Sequence, residues 1–76
     1  MNEQHFADTV HFTNKELINQ LVEFAFRNGQ PIEETYLVAF VEMVVFASNH
    51  RMSFPQLEQA IQVGWKVANA DRGELQ

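Results

Sequence analysis

The stretch from Leu37 to Ala47, LVAFVEMVVFA, contains a single polar residue, Glu42. Any fold this chain adopts has to place that run. Val and Phe favour strands, yet the run is longer than an ordinary strand and has no turn signal inside, and no second convincing strand stands elsewhere to pair with it. It is too short to span a bilayer, which takes about 20 apolar residues, and a carboxylate interrupts it. A helix over about 32–49 remains. Pro31 suits its first turn, and Glu33 and Glu34 lie where the positive end of the helix dipole favours acids. Thr35, Glu42 and Asn49, seven apart, would form a thin polar line down an otherwise apolar cylinder.

Two further helices are expected, one on either side. Phe12 to Leu17, FTNKEL, and Met52 to Leu57, MSFPQL, share one grammar of apolar residue, hydroxyl, two fillers, Glu or Gln, then Leu. Each fits a capping box, Thr13 with Glu16 and Ser53 with Gln56, inside a hydrophobic staple, Phe12 with Leu17 and Met52 with Leu57. From the first start, Leu17, Leu21, Phe24 and Asn28 step along one face, widened by Ile18 and Ala25, until Asn28-Gly29 offers a left-handed cap. That predicts a helix over about 14–28. From the second, Leu57, Ile61, Gly64 and Ala68 step with Trp65 beside them, opposite a wet side of Gln59, Gln62, Lys66 and Asn69. That predicts a helix over about 54–69, with Gly64 permitting a close helix crossing. The expected architecture is an all-α three-helix bundle, one domain over 1–76, with an N-terminal arm at 1–12 docking through Phe6 and Val10 and a frayed tail at 71–76.

Size makes such a bundle marginal. A lone core in 76 residues supplies roughly 3–5 kcal/mol, and small domains usually add disulfides, a metal or another subunit. Cysteine is absent, which removes disulfides and thiolate metal sites and suits a reducing cytoplasm. The first residues carry Glu3 and no apolar run behind a basic start, so they do not read as a signal peptide. With 46% apolar and 20% charged residues the composition is that of a globular chain. Net charge is −5. Residues 1–48 hold Glu3, Asp8, Glu16, Glu23, Glu33, Glu34 and Glu42 against Lys15 and Arg27, which argues against nucleic-acid phosphates as a target.

No reaction is legible in these residues. Glu42, between Val38 and Phe46, is where a catalytic acid would be sought, but no histidine or hydroxyl at helical spacing completes a set with it. His5, Asp8 and His11 are three apart, yet on a helix His5 and His11 point about 240° apart, so they make a poor metal cluster. No catalytic activity, cofactor, metal or small-molecule substrate is therefore expected. The rival reading is a helix-turn-helix, in which Asn49 to Met52 turn the chain and Gln56, Gln59, Gln62 and Lys66 enter a major groove with His50 and Arg51 just ahead. Five basic residues in all offer few phosphate contacts.

The middle helix carries the main expectation. A helix apolar nearly all round has more greasy surface than two neighbours can cover. Either the arm lies over it or a partner does, and a partner would also supply the burial a small core lacks. The chain is thus expected to be a small acidic protein-protein interaction module, a homodimer and/or a regulator or inhibitor bound to a larger protein. Val38, Phe40, Glu42, Met43, Phe46 and Trp65 are the candidate partner-binding residues, since aromatic and Met side chains dominate such contacts.

Overall fold

A computed structural model describes residues 2–71. Every regular element among them is helical: α1, Glu3–Phe12; a π-helical turn, Thr13–Leu17; α2, Ile18–Arg27; α3, Ile32–Asn49; and α4, Phe54–Asp71. Because α1, the π turn and α2 run on without a break, the described residues form three helices. None of these is long and apolar enough to cross a membrane. The chain divides into two compact units, Met1–Val41 and Glu42–Gln76, and α3 runs through the boundary as one helix.

The first helix does not start at the first capping motif. It starts at Asn2, whose side-chain oxygen accepts from the Gln4 N–H at 2.6 Å and the His5 N–H at 3.3 Å, with Glu3 in the first turn. Thr13 has helical backbone angles, φ −61° and ψ −47°, whereas an N-cap residue must be extended. The expected arm is therefore helical over Glu3–Phe12 and continuous with the π turn and α2, and Phe6 and Val10 stay exposed. An upstream cap was available, and 3–12 holds no proline or glycine to interrupt a helix, so nothing forced a start at 13.

At Thr13–Leu17 the helix instead widens, the Ile18 N–H reaching back five residues to the Thr13 carbonyl. This register has a packing consequence. Thr13, Leu17, Leu21 and Ala25 are the less exposed positions of this helix, together with Ile18. Steps of four overrun an α-helical turn by about 40° each, and a wider turn holds more residues, so it pulls the line back toward one side.

The end of α2 agrees closely with the sequence pattern. Gly29 adopts φ +63°, the Gln30 N–H donates to the Ala25 carbonyl at 2.9 Å, and the Gly29 N–H donates to the Phe26 carbonyl at 3.3 Å, a Schellman cap. Pro31 precedes α3 and its carbonyl accepts the Thr35 N–H at 3.1 Å. The α3 limits match expectation, and its far end repeats the Schellman geometry: Met52 N–H to Ala47 carbonyl at 3.1 Å, Arg51 N–H to Ser48 carbonyl at 2.9 Å. Here, however, the left-handed residue is Arg51, φ +71°, where glycine would be ordinary. The second capping box forms as expected, the Ser53 N–H donating to Gln56 Oε1 at 2.8 Å and the Gln56 N–H to Ser53 Oγ at 3.3 Å. Helix α4 continues to Asp71, the first residue of the expected tail; residues 72–76 lie outside the described residues.

Burial is sparse. Among the described residues, Ala25 at 3% exposure and Thr35 at 7% are buried, and no large apolar side chain is. Thr35 corrects the polar line expected along α3, because it faces inward within the first unit while Glu42 and Asn49 are exposed. Its hydroxyl lies 3.2 Å from both Gln30 Oε1 and the Pro31 carbonyl, so burial leaves no unmet polar group. Periodicity had marked Thr35 as polar without revealing that its own helix start could satisfy it.

Candidate interaction surface

Consider α3 as a wheel of 100° per residue. Its less exposed positions are Ile32, Thr35, Ala39, Val44 and Ala47, and all five fall within one half of the circumference. The other half, Glu34, Leu37, Val38, Val41, Glu42, Val45, Ser48 and Asn49, is exposed throughout. Leu37 shows 64% of its surface and Val41 51%. Between Glu34 and Ser48 the centre of this exposed half, Leu37, Val41 and Val45 with Val38 beside them, carries no charge.

The expected partner-binding residues are all exposed. Val38, Glu42 and Phe46 lie along one side of α3, with Met43 next to them, whereas Phe40 points roughly the opposite way. Phe46 is 62% exposed, and Trp65 on α4 is 68% exposed. Sequence reasoning did not single out Leu37, Val41 and Val45. The missing signal was the inward orientation of Thr35, which rotates the free face away from the polar line.

Within the first unit, Leu21 and Phe24 of α2, Gln30, and Glu34, Thr35, Val38 and Ala39 of α3 line a groove of about 390 Å³, open to solvent. Phe24 remains partly outside, and Phe26 more so. Within the second unit the apolar side of α4 is similarly bare: Leu57 is half-buried, while Ile61 and Trp65 are exposed. Gly64, expected to admit a close crossing, has open space where a Cβ would be.

The other constellations gain little. Glu42 is exposed, which is not the sheltered setting that sharpens a catalytic carboxyl. Helix α1 carries His5, Asp8 and His11, with Asp8 accepting from Gln4 Nε2 at 2.9 Å, and no group of three or more His, Asp or Glu among the described residues is arranged to hold a metal ion. Gln56, Gln59, Gln62 and Lys66 are all exposed on one side of α4, as they would be on any solvated face. Comparison with known proteins finds no family, no curated protein and no solved structure that matches this chain.

Proposed function

We propose that this chain is a small helical protein-protein interaction module, acting as a homodimer, as a regulator or inhibitor bound to a larger protein, or as both. One observation carries the proposal: no large apolar side chain among the described residues is buried, while Leu37, Val38, Phe40, Val41, Met43, Val45 and Phe46 of a single helix are exposed. Fixing a backbone costs about 1–2 kcal/mol per residue, and burying a Val, Leu or Phe returns roughly 1.5–3 kcal/mol. The chain therefore gains most by covering α3 with another protein. Its lack of cysteine suits a reducing cytoplasm, and its acidity disfavours nucleic acid.

Thermal melts followed by circular dichroism across a hundredfold range of concentration, with an apolar fluorescent dye in parallel, test the proposal. A melting point that climbs with concentration supports self-association. A low, concentration-independent melting point with strong dye uptake supports a foreign partner. A sharp melt at one temperature throughout, with no dye bound, refutes the module. A shift of random duplex DNA at low salt would favour the helix-turn-helix alternative instead.

A further inference from the structure

Independent of what covers α3, we propose that Asn28-Gly29 is a self-modification site. The Gly29 backbone nitrogen attacks the Asn28 side chain and converts it to aspartate and isoaspartate, and the cap of α2 gates the reaction. An asparagine carboxamide can react with the nitrogen of the residue that follows it, and the approach is least hindered when that residue has no side chain. Asn28 alone among the asparagines precedes a glycine. It is exposed, so water reaches it, and the space a Cβ would take at Gly29 is open.

The bonds balance without an oxidant or a reductant. A C–N bond forms between the Gly29 nitrogen and Asn28 Cγ. The Cγ–Nδ2 bond breaks, and the side-chain nitrogen leaves as ammonia with the Gly29 amide proton. Water then opens the succinimide ring. Addition at Cγ leaves aspartate on an unaltered backbone, whereas addition at the backbone carbonyl carbon leaves isoaspartate, with the chain rerouted through Cβ.

The cap holds the reacting atoms apart. Asn28 has ψ 5°, which eclipses the Gly29 nitrogen with Asn28's own nitrogen and turns it from the Cβ side, where Cγ must meet it. Both groups are also tied down: Asn28 Nδ2 donates to the Phe24 carbonyl at 2.8 Å, and the Gly29 N–H donates to the Phe26 carbonyl at 3.3 Å. Reaction therefore waits for the cap to open. Afterwards the cap cannot re-form as before. A carboxylate oxygen in place of Nδ2 faces the Phe24 carbonyl, acceptor against acceptor, at the negative end of the α2 dipole. In isoaspartate an extra backbone atom also shifts the Gly29 and Gln30 N–H groups out of register with the Phe26 and Ala25 carbonyls that accept them. Transient fraying of α2 is thus turned into a lasting change at the corner leading into α3.

The full chain, incubated in mildly alkaline buffer with and without urea at one protein concentration, tests this by peptide mapping with mass detection. Ammonia loss should be faster at Asn28 than at Asn2, Asn14, Asn19, Asn49 or Asn69. Urea should speed it about tenfold or more, the factor that a cap-opening cost of about 1.4 kcal/mol confers. In urea Gly29→Ala should slow it, since the new Cβ hinders the attack. The purified modified chain, and Asn28→Asp beside it, should exchange the Gly29 and Gln30 amides faster than the parent, with exchange in α4 unchanged. Equal loss at any other asparagine overturns the site, and an equal rate with and without urea overturns the gate. Unchanged exchange after modification overturns the lasting change at the corner.

Discussion

Arg51→Gly should stabilise the protein, although it deletes a long charged side chain. Arg51 sits at φ +71°, in the left-handed region where a Cβ crowds the following carbonyl at a cost of about 1–2 kcal/mol. Glycine avoids that crowding but is freer in the unfolded chain, which returns part of the gain. The backbone bonds of the turn, Arg51 N–H to Ser48 and Met52 N–H to Ala47, do not depend on the side chain, and Arg51 is exposed. The net is a gain of about 0.5–1 kcal/mol, or about 2–8 °C in melting temperature for a domain of this length. The matched control is Gly29→Ala, which puts a Cβ at φ +63° and should lose about 1 kcal/mol. Both are read by chemical denaturation at one fixed protein concentration, since association shifts apparent stability. An unchanged or lowered midpoint for Arg51→Gly would refute the left-handed turn at 51 or reveal a guanidinium contact that outweighs it.

Thr13→Ala and Ser53→Ala separate two motifs of the same grammar. Ser53→Ala should cost about 1 kcal/mol by removing a formed cap, whereas Thr13→Ala, inside a continuous helix, should be neutral or slightly stabilising by propensity, measured on the same denaturation curves. Gly64→Ala should add up to about 1 kcal/mol, because a helical glycine is replaced where nothing lies within 4 Å of the new Cβ; a loss would mean that a partner packs against Gly64. Asn2→Ala should fray the first turn at a cost of about 1 kcal/mol, visible as faster amide exchange at Gln4 and His5 and unchanged exchange in α4.

What could be read from the residues was the local punctuation that had no competitor. Asn28-Gly29 closes α2 and Ser53 with Gln56 opens α4, because each stands where the chain also changes direction and its hydrogen bonds lie within a few residues. Thr13 with Glu16 carries the same grammar, but a capping box permits a start without compelling one, and Asn2 supplied an earlier cap to a segment with no helix breaker. The turn over 49–52 was legible, but its left-handed residue was not, since Arg51 is not a glycine. The candidate surface was legible as a property of α3 and not as a face. The apolar run declared an excess of greasy surface, while only the inward-facing Thr35, satisfied by Gln30 and Pro31, fixes which half of the helix is left bare.

The central claim is that α3 holds more apolar surface than its own chain covers. Sedimentation equilibrium of the full chain from about one to a hundred micromolar, with helicity recorded on the same samples, measures this directly. A mass approaching twice 8.8 kDa is expected at the upper end, with dissociation and loss of helical signal together on dilution. A mass that stays at 8.8 kDa throughout, with undiminished helicity and a sharp unfolding transition, would contradict the claim.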